Sequence, residues 1–580
     1  MPALRWSAYL TTGSVQRLAH EADAARDAPE ILRGLNITKV YLEFFRGAEV
    51  KSADIIAVRD ALRAEGFLVS GGIATVPGPD GGVRQEGGLD WLNWQDSKTR
   101  EDIAAIMRRA APLFDEIIVD DFFCTGDEGP LSVEAKGERT WSEYRRALMV
   151  KTAKDTIIAP ARSTNPDIQL IIKYPQWYDR FHEFGYDVAA KSELFDRIWV
   201  GTETRGANTQ RYGFVQPYEG FVNFRWLASI GKQKTGGAWF DHGDCDADDF
   251  IEQAYQSVLA GAREIILFSY AALEDGHPGH NLLRDHQPRL EALSAEVRVR
   301  PVTGVAAYKP ANSDPGPDLF IMDYVGMLGI PLVPVSTFPA DSQAIFLPTQ
   351  AAFDPDIAAQ LEAAVKHQAN IVLTAGFLAA MHGDARIREL AGARIEVPLT
   401  PIQSEAIIVD DVSSAVQHGL DLAGQLEPEA ARVVLTASAA NGLTPFLTVH
   451  SVAGARIWVL NVRTFSVEDY RAVGEVLLPP RPLGLLELPR QAVNIVRKAF
   501  YTDMGISLDA PARIVMQPFG PADVVLHNYT ALPQDVRLNV PIHGIRKLRD
   551  RLGENEVPLS DGSVSLTLPP RSRVWLAPTQ

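Results

Sequence analysis

"IIVDDFFCTGDEGP", residues 117–130, runs from three β-branched residues straight into two adjacent carboxylates, Asp120 and Asp121. Two phenylalanines follow, then a loop of small and acidic residues. The unbroken apolar start reads as a strand buried on both faces. Ending such a strand on Asp120 and Asp121 puts charge where desolvation is most costly. The pair is therefore either a structural capping feature or a site that needs a carboxylate held against an apolar wall.

Segments of the same kind lie on both sides. "LRWSAYL" (4–10), "ITKVYLEFF" (37–45), "FLVSGGIATV" (67–76), "DEIIVDD" (115–121), "IQLIIKYP" (168–175), "DRIWVGTE" (196–203), "GGAWFD" (236–241) and "EIILFSY" (264–270) all read as strands. Their starts recur at roughly 30 to 50 residues, the spacing of βα units. Helical patterns fill the gaps. "SADIIAVRDALRAEG" (52–66) closes on Gly66, and "DADDFIEQAYQSVLAGA" (246–262) opens with Asp246 and Asp249 placed for an N-cap and a capping-box-like first turn. Eight such units over residues 1–298 predict a (β/α)8 TIM barrel, whose active site lies at the carboxyl ends of the strands. Those ends are polar: Glu43, Asp120 and Asp121, Lys173 and Tyr174, Glu203 with Thr204 and Arg205, Asp241 and His242, and Tyr270.

Two carboxyl groups facing each other across a rim suit hydrolysis of a glycosidic bond. One, protonated, assists the leaving oxygen; the other, ionised, attacks or activates water. The candidate catalytic residues are Asp120 or Asp121 from the fourth strand and Glu203 from the sixth. Alternation along a strand predicts that one aspartate enters the mouth while the other bonds the loop or a helix terminus. Glu43, Lys173, Tyr174, Trp177, Arg205, Trp239, Asp241, His242 and Tyr270 are the candidate substrate contacts. Trp6, Trp91 and Trp94 are further candidates for stacking on sugar rings, and Gln216, Tyr218 and Glu219 make the long sixth loop a candidate substrate wall. Structural alternatives stand beside these. Glu203 can pair with Arg205 or Lys173, Glu43 can form a salt bridge inside the barrel, and His242 can be an ordinary loop residue. Lys173 is a possible Schiff-base former, though acidic neighbours favour an ion-paired role. A rival chemistry, a metal-assisted hydrolase or lyase, draws on Asp241, His242, Asp244 and Cys245, with Cys124 after the fourth strand. Without HxH, HExxH or CxxC spacing no metal is expected, and without a Gly-rich phosphate loop or GxSxG elbow no cofactor is expected. A third reading is a non-catalytic carbohydrate-binding barrel.

The 580 residues predict two to four domains. A hydrophobic content of 46% is that of an ordinary globular protein. A formal charge of −17 disfavours nucleic acid or an anionic membrane as partner. No apolar run reaches the ~18 residues of a membrane span. "MPALRWSAYLTTG" reads as a strand rather than a leader, so the expected compartment is cytoplasmic or periplasmic. Two cysteines exclude a disulfide scaffold.

Near residue 300 the texture changes at "VRVRPVTGVAAYKPANSDPGPDL" (297–319). The strands "TGVAAYKP", "AIFLPTQ" and "NIVLTAG", with the helix "DIAAQLEAAVKHQA", predict a small open parallel α/β sheet over 299–395. Strand patterns then dominate, with 396–500 a β-rich completion of the middle region and 501–580 a C-terminal β-sandwich.

This order of barrel, α/β module and β-domain resembles the family-42 glycoside hydrolases. "FDEIIVDDFF", "LIIKYPQWY", "IWVGTETR" and "MDYVGMLGIPL" also look like a group of bacterial barrel proteins of glycosidase type. The resemblance implies an exo-acting O-glycosyl hydrolase of oligosaccharides or glycosides. It also implies a flavodoxin/glutamine-amidotransferase-like middle domain that serves assembly, and a homo-oligomer, dimer or trimer. Thr374, Ala375 and Gly376 stand where a glutaminase would need its cysteine, so that module is expected to be non-catalytic. The sequence departs from family 42 at the acids. That family carries Asn-Glu on the fourth strand and a glutamate on the seventh, against Asp120-Asp121 and Asp241 here. A fourth-strand aspartate with a sixth-strand acid is closer to the retaining α-galactosidase clan.

Overall fold

The computed structural model describes residues 3–87, 89–207, 213–440, 442–474, 477–501, 504–520, 522–540, 546–553 and 555–579. The chain divides into two compact units, Met1–Glu296 and Val297–Gln580.

The first unit is the barrel. Its strands are β1 (Arg5–Leu10), β2 (Ile37–Arg46), β3 (Leu68–Ala74), β4 (Glu116–Val119), β5 (Gln169–Tyr174), β6 (Arg197–Gly201), β7 (Thr235–Asp241) and β8 (Glu264–Phe268). They pair in parallel in sequence order, and β1 bonds both β2 and β8, so the sheet closes on itself. Helices on the outside cover one face of each strand and the lumen covers the other, which is why the strands read as unbroken apolar runs. Helix Ala247–Ala260 begins with the expected capping box between Asp246 and Asp249.

Large aromatics fill the lumen: Tyr9, Tyr41, Trp199 and Trp239 pack with Ile118, Ile171 and Ile266. Two glycines make this possible. A Cβ on Gly72 would lie 2.4 Å from the Tyr9 hydroxyl, and one on Gly237 would lie 2.1 Å from Trp199 Nε1. Below them, at the amino ends of the strands, sits a buried ionic floor. Lys39 Nζ reaches Tyr41 Oη and Glu116 Oε1, each at 2.6 Å. Tyr41 Oη donates to Glu264 Oε1 at 2.7 Å, and Arg197 to Glu116 Oε2 at 3.0 Å. Charges so deep persist only when paired in this way.

In the second unit, one nine-stranded sheet takes in both the α/β stretch and most of the strands up to residue 460, while Ala393–Ile395 and Leu426–Pro428 pair separately. Its parallel part, read across the sheet, is Leu332–Val335, Val305–Tyr308, Ala344–Leu347, Asn370–Thr374 and Ala455–Leu460. In chain order this is 2-1-3-4-5, the flavodoxin-like winding. Four antiparallel strands continue it without a break: Gly442–Val452, Arg432–Ala439, Ile402–Val409 and Val412–Leu422. Thr374 is fully buried and donates to Asp318 Oδ2 at 2.5 Å. Beyond helix Arg490–Tyr501 lie two antiparallel sheets, of three and five strands. Among the described residues no helix is long and apolar enough to cross a membrane.

Candidate active site

The regular pairing of β4 stops at Val119. Asp120 N–H still donates to Ile73 O of β3 at 2.9 Å, but Asp120 Oδ1 turns back to accept from Asp121 N–H at 2.8 Å. That side-chain turn ends the strand's alternation. The expectation that only one aspartate enters the mouth is therefore overturned: both face Lys173 of β5. Its Nζ lies 2.6 Å from Asp121 Oδ2, 2.7 Å from Glu203 Oε1 and 3.6 Å from Asp120 Oδ1. It also sits 4.4 Å over the Trp239 ring, which forms the apolar floor beneath the charges.

Ion pairs flank this centre on both sides. Arg46, from the end of β2, bonds Glu43 Oε1 at 2.9 Å and Asp120 Oδ2 at 3.2 Å. Glu43 also accepts from the Tyr9 hydroxyl and from Thr12 N–H, each at 2.9 Å. Across the mouth, Arg205 grips Asp241 with two bonds of 2.9 and 2.7 Å. The buried amide of Gln253 holds both partners by their backbones, accepting from Arg205 N–H at 3.2 Å and donating to Asp241 O at 2.8 Å. Five carboxylates thus meet three cations in one cup.

Exposure separates the acids. The side chains of Lys173, Asp120 and Glu203 are 2%, 3% and 4% exposed, whereas Asp121 is 18% exposed. Glu203 Oε2 is buried without a hydrogen-bond partner among the described residues. Gly201 makes room for it, since a Cβ there would lie 2.5 Å from that oxygen.

The charges follow from this packing. Burial pushes Asp121 up to about 7, against the pull of Lys173 and with the push of Asp120 and Glu203. Burial likewise raises Glu203, outweighing Lys173 and Arg205, and Asp241 adds to the rise. Burial also raises Glu43 despite Arg46. For Lys173 burial works downward, but the three carboxylates outweigh it and hold the ammonium charged. Asp241 goes the other way: burial would raise it, yet the Arg205 fork and Gly243 N–H keep it below the usual carboxylate range. One cup therefore holds carboxyl groups shifted in opposite directions, the arrangement acid–base chemistry needs.

Several residues expected at the mouth stand elsewhere. Tyr174 follows Lys173 on the strand and so points outward, its hydroxyl 3.3 Å from Ser192 Oγ. Trp177 packs among Trp91, Phe181, Phe184 and Tyr186. Trp6, Trp91, Trp94, Trp177 and Trp239 are all 5% exposed or less, so none offers a ring face to solvent. Their large apolar area is spent on packing instead. Tyr270 lies beside Glu274 and Arg17 on the outer helices. His242 faces His277 and His280, at ring distances of 5.7 and 6.4 Å. Gln216, Tyr218 and Glu219 are buried rather than forming a wall, and residues 208–212 of that loop lie outside the described residues. Asp241 is committed to Arg205, and among the described residues no group of three or more His, Cys, Asp or Glu side chains is placed to hold a metal ion.

The sequence reading passed over Arg46, Gln253, Phe122 and Phe268. The Arg46 guanidinium lies 5.5 and 5.8 Å from the rings of Phe122 and Phe268, both half-buried at the mouth. A signal existed for Arg46, which sits three residues past Glu43 in "EFFR". Gln253 gave none, because its partners come from two other loops.

Residues 1–289 match the family described as "Probable glycosyl hydrolase, catalytic domain", and residues 302–465 match "Uncharacterized protein SSO3021, second domain". A curated relative, Uncharacterized protein SSO3021 of Saccharolobus solfataricus, is 24% identical over 365 residues, which is 57% of this chain. The match spans 60% of that relative's length. Among solved structures, the chain is similar to Gan42B, a GH42 beta-galactosidase from G. stearothermophilus, with a TM-score of 0.64 and 12% identity over 99% of this chain and 98% of that one. It is also similar to alpha-L-fucosidase isoenzyme 2 from Paenibacillus thiaminolyticus, with a TM-score of 0.65 and 11% identity over the whole of both chains. Likeness at that identity speaks for the fold alone, and the two named activities differ in their sugar. Taken with the closed barrel, the family match makes residues 1–289 a member of the glycosyl hydrolase catalytic-domain family.

Proposed function

We propose that the barrel hydrolyses the O-glycosidic bond of a glycoside or oligosaccharide, with Asp121 and Glu203 as the working pair. The observation that carries this is the Lys173 clamp, which brings an accessible and a buried carboxyl group to one ammonium. Their bonded oxygens, at 2.6 and 2.7 Å from Nζ, are at most about 5 Å apart, near the spacing of retaining rather than inverting pairs. Glu203, buried and raised, carries the proton to the leaving oxygen. Asp121 ionises beside Lys173 and attacks the anomeric carbon. Glu203 then takes a proton from the water that releases the sugar, and the proton count closes. Asp120 stays behind as the bridge between Arg46 and Lys173.

Asp121→Asn and Glu203→Gln, each assayed on a panel of aryl glycosides, test the assignment. Each is expected to lower kcat by about 10³-fold or more, with proton NMR showing retention in the native product. Near-native turnover in both variants would refute the pair.

A further inference from the structure

Helix Val188–Leu194 contributes a buried lysine that the acid cup does not use. Lys191 is fully buried, and among the described residues it forms no ion pair. Its Nζ donates to Phe123 O at 3.2 Å and lies 4.4 and 4.9 Å over the rings of Phe123 and Tyr186. Burial pushes its pKa down to about 7, with Cys124 and Asp187 acting in the opposite sense. A leucine or methionine would fill such a cage without the desolvation penalty. What lysine adds is an N–H donor at one carbonyl.

That carbonyl belongs to the turn carrying the acids. Residues 120–125 lie outside helix and strand, so no regular ladder fixes them. Their carbonyls are instead held from behind by side chains of distant segments. The Tyr186 hydroxyl donates to Asp121 O, Lys191 to Phe123 O, and Trp94 Nε1 to Cys124 O at 2.9 Å. Thr125 N–H closes the set on Phe184 O at 3.1 Å. An irregular segment gripped at three of its carbonyls has one conformation; released at one of them, it has several.

We propose that Lys191 is a positioning residue for the acid pair, gripping Phe123 O from the buried side so that Asp121 stands opposite Glu203. The proposal rests on the reading of that pair as the working carboxyls. Lys191 touches no substrate and acts only through the turn. A shift of about 1 Å in a reacting group is enough to lower turnover by about 10²-fold while leaving binding unchanged.

Lys191→Met in the full chain keeps the length and apolar fill of the side chain and removes the donor. Tyr186→Phe removes the neighbouring grip, and carries the test if the methionine variant does not fold. The first readout needs no substrate: hydrogen exchange followed by mass spectrometry on the peptide 117–130. Exchange there is expected to quicken by about tenfold or more in either variant, with peptides from β1 and β7 unchanged. The second readout is turnover of an aryl glycoside that the native chain hydrolyses, with kcat down about 10- to 100-fold and KM within about twofold. Unchanged exchange in both variants overturns the grip, and faster exchange with native kcat overturns its role in positioning. A native chain that hydrolyses no glycoside counts instead against the working pair, while exchange still decides the grip.

Discussion

Replacing Lys173 by methionine would remove the one cation shared by Asp120, Asp121 and Glu203. The ammonium lies 3.6, 2.6 and 2.7 Å from their oxygens. Each of the two short contacts is an attraction on the order of 5 kcal/mol at an effective dielectric near 20, much of it cancelled by desolvation. Methionine fills the space over Trp239 but leaves buried like charges facing each other. Breaking a buried pair in this way costs about 3–5 kcal/mol, which in a domain of this size lowers the unfolding temperature by roughly 5–15 °C. The loss must depend on pH. Asp121 and Glu203 already titrate above their unfolded values, and without Lys173 they rise further. A carboxyl with a raised folded pKa favours the fold below its unfolded pKa, and that contribution disappears as pH climbs through the folded value. The deficit of Lys173→Met is therefore smaller near pH 5 than near pH 8. Thermal unfolding at both pH values, followed by tryptophan fluorescence, measures it. A variant that melts like the native protein at pH 8, or with the same deficit at both pH values, would refute the account of three acids held by one ammonium.

Two further outcomes follow from the same geometry. Arg205 lowers and Asp241 raises the Glu203 carboxyl, so the alkaline limb of the kcat/KM profile should move down by about 1 pH unit in Asp241→Asn and up in Arg205→Met. Limbs that stay in place would remove Glu203 as the titrating acid. Gly201→Ala puts a methyl 2.5 Å from Glu203 Oε2 and 3.1 Å from Pro175 Cα. Because the backbone of Pro175 cannot yield, Glu203 must. Loss of about 1–3 kcal/mol of stability together with a fall in kcat is expected, and a variant of native activity would show that Glu203 has room to spare.

The sequence by itself determined the barrel. Runs such as Ile117–Val119 and Leu170–Ile172 can be buried on two faces only in a parallel sheet wrapped by helices, and their spacing leaves room for little else. The polar strand ends were legible for the same reason, since a charge at the end of an apolar run has few places to go but the mouth. Thus Glu43, Asp120, Asp121, Lys173, Glu203, Arg205 and Asp241 were found as a set. Tertiary structure decided how the members of the set meet. Strand alternation assigned Asp120 and Asp121 to opposite sides, but a side-chain turn one residue past the strand brought both to Lys173. Tyr174 and the five tryptophans read as sugar contacts because type and position cannot tell a lumen or outer face from an open one. The backbone partners of Gln253 and Lys191 lie on other segments of the chain, so no local pattern announced them. Local pattern encodes which residues must be buried; which buried groups then meet is settled only when distant segments close around them.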